Sequence, residues 1–371
     1  MTLMVQFFKN YMKLAHFTQG RDNNFNLIRF IASLSVLVTH GFALALGTPD
    51  AEPFRKSIGM TIGEISVDVF FITSGFLVTA SLLYRKNVVE FIWARFLRIF
   101  PALLAMLLLT VLVIGSVFTT LSLSNYLTHK DTFKYLAKCS TLFFGVEYRL
   151  PGVFNQKAIN GSLWTMPYEV RMYAILVISW LMIGFFNVRK LKLFKACILI
   201  FAVGGAAYLL WNHFYSEQPD NTTRLFFMFF SGASFFVLKE SIVLSKPLFT
   251  MLLACLALAT IHIQLFFMVY TLSIAYLLFY LAYVPAGFIR NYNLIGDYSY
   301  GIYIYAFPVQ QLVAYLIPGV SVTKMIFISF SITITFAVLS WHLLEEKALG
   351  MKEHFIKKSN DLIRYRFKSD S

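Results

Sequence analysis

The sequence predicts an all-α integral membrane protein with about ten transmembrane helices and both termini in the cytoplasm. Three observations carry that prediction: an extreme apolar composition, apolar runs of spanning length, and a one-sided distribution of Lys and Arg. The 371 residues are 58% hydrophobic and 13% charged, with a mean hydropathy of +0.68, whereas soluble domains are about 45–50% apolar and about 25% charged. Forty Phe and twenty Tyr supply the aromatic side chains that gather at membrane–water interfaces. A formal charge of +14 would suggest nucleic acid in a soluble chain. Here membrane orientation accounts for it, and no nucleic-acid partner is predicted.

A spanning helix needs about 20 largely apolar residues. Runs of that kind lie near 27–46, 64–83, 102–120, 168–187, 195–211, 224–239, 247–262, 264–286, 298–317 and 323–344. Orientation follows from the flanking cations. Lys9, Lys13 and Arg21 precede the first run; Arg85, Lys86, Arg95 and Arg98 follow the second. Arg189, Lys190, Lys192 and Lys195 follow the fourth, and seven Lys or Arg lie from Lys347 onward. Alternating spans put all of these on one side, which is then cytoplasmic. The loop 121–165 argues the other way, with five Lys/Arg against two acidic residues. A loop of that length tolerates positive charge better than a short one does.

The first 26 residues lack a clean apolar core followed by a cleavage site, so no cleavable signal peptide is expected. Residues 345–371 read as a short basic cytoplasmic tail, too short for a second catalytic domain. The whole chain, 1–371, reads as one transmembrane domain, and its chemistry must lie among the helices and their loops. Cys139, Cys197 and Cys255 follow no paired or metal-type spacing, so they read as small apolar residues and no metal is predicted.

Ionisable groups inside a membrane are costly, which makes each one a functional candidate unless it reaches an interface. In "RFIASLSVLVTH", residues 29–40, Arg29 and His40 are eleven residues apart. At about 100° per residue they share a helix face, separated by about 16 Å of rise. Arg29 also fits a snorkelling interfacial cation, and His40 a hydrogen-bonded structural histidine. In "ISVDVFFITSGFLV", residues 65–78, Asp68 sits about one turn from the outer end, and Ser74-Gly75 read as a small pair for close helix packing. In "WARFLRIFPAL", residues 93–103, Arg95 and Arg98 are neighbours on a helical face. They are either topology charges or a guanidinium cluster for phosphates. Pro101 there marks a helix start or a kink.

In "NGSLWTMPYEVRMY", residues 160–173, Glu169 opens a helix and Tyr173 lies one turn on. A carboxylate there is also favoured by the helix dipole. In "GDYSYGIYIYAFPVQQ", residues 296–311, Pro308 frees a backbone carbonyl, and Gln310 and Gln311 are placed to hydrogen-bond across helices. By depth, His40, Asp68 and Glu169 fall toward the outer half, and Arg29, Arg95 and Arg98 toward the inner face.

With these pieces in order, the sequence resembles the acyltransferase-3 family of polytopic membrane acyltransferases. The resemblance rests on Arg29-x10-His40, "VDVFFITSGFL" at 67–77, Arg95-x2-Arg98-x2-Pro101 and "SLWTMPYEVRMY" at 162–173. It continues in "YSYGIYIYAFP" at 298–308 and "SWHLLEEKAL" at 340–349, where Glu345 falls on a family acidic position. Many members carry a histidine two residues before the proline of the ninth span, and here that residue is Ala306. The resemblance implies a single-domain O-acyltransferase that uses acyl-CoA, most often acetyl-CoA, and a hydroxyl acceptor such as an envelope glycan. Arg29, Arg95 and Arg98 would then hold the CoA phosphates, and His40 would act as general base or acyl-carrying nucleophile. Glu169 or Asp68 would orient that histidine. Two other classes remain open: a transporter or flippase with a midplane polar path, and a structural subunit of an envelope assembly.

Overall fold

A computed structural model describes residues 12–20, 22–85, 87–186, 190–216 and 220–369. Lys9, Arg21, Lys86 and Arg189, counted above for orientation, lie outside the described residues. All ten apolar runs form helices. They are α1 Phe25–Leu46, α2 Ile62–Arg85, α3 Val88–Leu109, α4 Met166–Phe186, α5 Lys190–Tyr215, α6 Asn221–Val237, α7 Lys246–Ala259, α8 Ile263–Tyr283, α9 Ser299–Leu316 and α10 Val322–Ser340. Among the described residues seven helices are long and apolar enough to cross a membrane; α6, α7 and α9 are not among them. Length explains α6 and α7, with 17 and 14 residues.

The helices belong to two compact units interleaved in sequence. The first holds residues up to Ser35, Glu52–Ala80 and Ile178–Gly296; the second holds Val36–Ala51, Ser81–Val177 and the chain from Asp297 onward.

In the first unit, α2 and α6 touch backbone to backbone. A Cβ on Gly75 would collide with the Phe229 carbonyl, and one on Gly232 with that of Ile72. The Ser74-Gly75 pair thus marks a close helix crossing, as the small-residue reading expected. Phe25, Phe76, Phe236 and Phe279 cluster around it at centroid separations of 4.6–6.2 Å.

In the second unit, α3 begins fourteen residues earlier than its apolar run, at Val88. The Asn87 side chain caps it by accepting from the Val89 and Glu90 amides. Arg95 and Arg98 therefore sit inside the helix, and Pro101 lies within it rather than at its start. Beyond Leu109 the helix passes through a π-helical turn, Thr110–Gly115. The Tyr126 hydroxyl donates to the Val111 carbonyl at 3.0 Å there, beside Gly115, where a Cβ would strike that hydroxyl. A side chain satisfying a displaced carbonyl is a common cause of such bulges. The loop that carries Tyr126 also buries Cys139, whose thiol is pushed up to about 12 by desolvation, as suits an inert packing residue.

The region expected as a basic tail is largely helical. After a second π-helical turn, Trp341–Glu345, the chain continues through Glu346–Gly350 into α11, Lys352–Ser369. This last helix packs on α3: Phe355 stacks on Trp93 at 4.6 Å, and the Trp93 indole donates to Ser359 at 2.9 Å.

Candidate active site

Pro308 organises the site. It cannot donate the hydrogen bond that the carbonyl four residues back would accept, and a bare carbonyl in a membrane costs several kcal/mol. The orphan is the Ile304 carbonyl, and Asn160 Nδ2 donates to it at 3.0 Å. Asn160 Oδ1 in turn accepts from the Ser162 amide at 3.1 Å. The two glutamines after the proline also bond across elements. Gln311 donates to the Ala158 carbonyl at 2.6 Å, and Gln310 to the Leu37 carbonyl at 2.7 Å. Tyr303 completes the tie, donating to the Ser162 carbonyl at 2.8 Å and pairing with the Thr165 hydroxyl at 2.6 Å.

These bonds fasten α9 to the segment before α4 on one side and to α1 on the other. His40 lies at the α1 contact. Its ring meets Phe307 edge-on with centroids 5.1 Å apart. A Cβ on Gly161 would press into the same Phe307 ring at 2.7 Å, so the glycine lets Phe307 sit there. Gly41, next to His40, likewise admits Ile326 and the Gln310 amide. His40 Nδ1 is enclosed and has no hydrogen-bond partner among the described residues.

The six residues singled out from sequence divide between the units. His40, Arg95, Arg98 and Glu169 belong to the second, Arg29 and Asp68 to the first. Glu169 accepts from the Tyr173 hydroxyl, one turn along α4 as the spacing predicted. Asp68 is fully buried; Oδ2 accepts from Tyr270 at 2.9 Å, and Oδ1 faces Arg224 Nε at 3.3 Å. Arg224 also lies 3.8 Å from Glu64. Asp68 is thus one member of a buried ionic cluster within its own unit.

The two arginines of α3 have opposite surroundings. Arg98 is bonded to Asp297 at 2.5 Å and to Glu345 at 3.4 Å. Tyr300 and Trp341 lie at 5.8 Å over its guanidinium. Its carboxylates are themselves held: Ser299 donates to Asp297 at 2.5 Å and Ser340 to Glu345 at 3.0 Å. Arg95 has no carboxylate in ion-pair reach among the described residues, and its enclosed Nε has no partner. An arginine with open donors suits a phosphate; one with two carboxylates already in place does not.

The model of the acyltransferase domain named for acyltransferase 3 matches residues 22–344, which span both units. The chain belongs to the acyltransferase-3 family. This acyltransferase is 30% identical over 350 residues to the O-acetyl transferase of Shigella phage Sf6, covering 89% of the chain and 96% of the relative. It is 27% identical over 376 residues to nodulation protein 10 of Rhizobium leguminosarum bv. viciae, covering 92% and 97%. No solved structure matches it. It is therefore a multi-pass membrane O-acyltransferase.

Three of its site residues escaped the sequence reading. Asp297 stood in a stretch read for its proline and glutamines. Arg224, the lone cation of α6, was a visible signal that went unused. Asn160 opened a quoted stretch, but nothing local pointed from it to Pro308.

Proposed function

We propose that this acyltransferase moves an acetyl group from cytoplasmic acetyl-CoA to a hydroxyl of a cell-surface or lipid-linked glycan, in the inner or plasma membrane. The observation that carries the reading is His40, a histidine held by Phe307 in an O-acyltransferase, its enclosed Nδ1 without a partner among the described residues. The name of the phage relative supports the acetyl group.

His40 acts as the general base. It takes the proton of the acceptor hydroxyl as that oxygen bonds to the thioester carbonyl carbon. The carbon–sulfur bond then breaks, and the imidazolium returns the proton to the leaving thiolate, so CoA departs as the free thiol. Arg95 is the phosphate contact, because its enclosed Nε has no partner among the described residues. Arg98, matched by two carboxylates, ties α3 to the segments that carry Asp297 and Glu345. Glu169 stabilises the imidazolium charge, whereas Asp68, tied to Arg224, holds its own unit together.

The test uses membranes carrying the protein and acetyl-CoA radiolabelled in the acetyl group. Label bonded to the glycan fraction, dependent on the protein, is the expected result. Glycan that crosses the membrane without gaining label would replace the enzyme reading with a carrier.

A further inference from the structure

Two buried polar atoms of the second unit lack any hydrogen bond among the described residues and belong to the same contact of α1 with α9: His40 Nδ1 and Gln310 Oε1. Gln310 is fully buried. Its Nε2 donates to the Leu37 carbonyl at 2.7 Å, and a Cβ on Gly41 would lie 3.4 Å from that nitrogen. Leu37 and Gly41 are one turn apart on α1 and bracket His40. Phe307, three residues before Gln310 on α9, holds the imidazole edge-on. So α9 sets one aromatic and one amide against the single turn that carries the histidine.

The amide cannot choose its orientation. A carbonyl only accepts, so Nε2 must face Leu37 and Oε1 is left as a fixed, unmatched acceptor. An enclosed acceptor without a donor is costly to the folded state. An imidazole nitrogen enclosed without a partner adds a similar cost, and pairing the two atoms removes both. Phe307, which meets the His40 ring, and Gln310 and Ile326, which lie against Gly41, are uncharged.

We propose that Gln310 is the positioning residue of His40, its Oε1 accepting the hydrogen bond of Nδ1–H during turnover. This rests on the transfer role given to His40 above. The bond fixes the tautomer in which Nε2 is unprotonated and free to take the hydroxyl proton. A neutral amide does this without holding the ring protonated, as a carboxylate in that place would. Leu37 plays the part of the third group, keeping the amide from turning over.

The test uses the full chain, 15N-labelled at histidine, in lipid bilayers, with the His40 signal assigned by its loss in His40→Ala. The expected wild-type spectrum shows the Nδ1–H tautomer. Gln310→Met keeps the volume but removes the acceptor, and the signal shifts toward Nε2–H. An Nε2–H wild type, or a tautomer unmoved by Gln310→Met, overturns the proposal. Transfer of labelled acetyl from acetyl-CoA gives a second readout. Gln310→Met lowers kcat roughly 10- to 100-fold, as loss of a histidine-orienting partner does elsewhere, with KM for acetyl-CoA unchanged. Gln310→Glu places a negative charge beside the ring and favours imidazolium, so the rising limb of the pH–rate profile moves up by about one pH unit or more. A purely structural glutamine would leave that limb in place. Undiminished transfer by His40→Ala would instead overturn the transfer role of His40, while the tautomer result still decides the pairing.

Discussion

Arg98 and His40 both lie in the second unit on apolar helices, and they differ in what their polar atoms touch. Arg98 is saturated: two carboxylates, each braced by a serine hydroxyl, and two aromatic rings enclose it. His40 is open: its ring meets Phe307 edge-on, and its buried Nδ1 has no hydrogen-bond partner among the described residues. A polar group whose valences are filled by the fold builds the fold. The same contrast separates Arg98 from Arg95, three residues apart on one helix.

That contrast can be broken by removing side chains from each side of it. The largest expected effect is at Arg98. Arg98→Ala strands Asp297 and Glu345 in a buried place, which costs about 3–5 kcal/mol. Thermal unfolding in detergent should show a lowered midpoint and a reduced yield of monodisperse protein. If Arg98→Ala folds normally and loses only donor affinity, the saturated arginine is a phosphate ligand after all. Arg95→Ala should do the reverse, leaving the midpoint in place. Loss of a charge-assisted hydrogen bond of about 1.5–3 kcal/mol corresponds to a donor affinity weakened roughly 10- to 100-fold, measurable by titration with acetyl-CoA. Asn160→Ala tests the repair at Pro308 and should cost about 1–3 kcal/mol of stability by baring the Ile304 carbonyl. The smallest effect belongs to Tyr173→Phe. It removes one hydrogen bond to Glu169 and should shift stability by only about 0.5–1.5 kcal/mol.

Much of the fold was legible because hydropathy is a local property. Each of the ten apolar runs is a helix, and the proline in α9 announced a carbonyl in need of a donor. Gln310 was correctly read as a cross-helix donor, whereas Gln311 donates to Ala158 in the non-helical segment before α4. The start of α3 was misplaced because its first fourteen residues are mixed in character and their cap, Asn87, is a single side chain. The partners of Arg98 were not legible at all. They lie 199 and 247 residues away in the chain, and Leu37 lies 273 from Gln310. Spacing on one helix put Arg95 and Arg98 together as equals. Only tertiary packing, which brings carboxylates to one and not to the other, separates them.

The central claim is that the open histidine performs the transfer, and His40→Ala tests it most directly. The variant should keep the wild-type melting midpoint and acetyl-CoA affinity, because no hydrogen bond among the described residues depends on the lost ring. Transfer of labelled acetyl to the glycan fraction should fall by about 10²- to 10⁴-fold, the usual worth of a positioned general base. A His40→Ala protein that still acetylates at the wild-type rate would contradict the account.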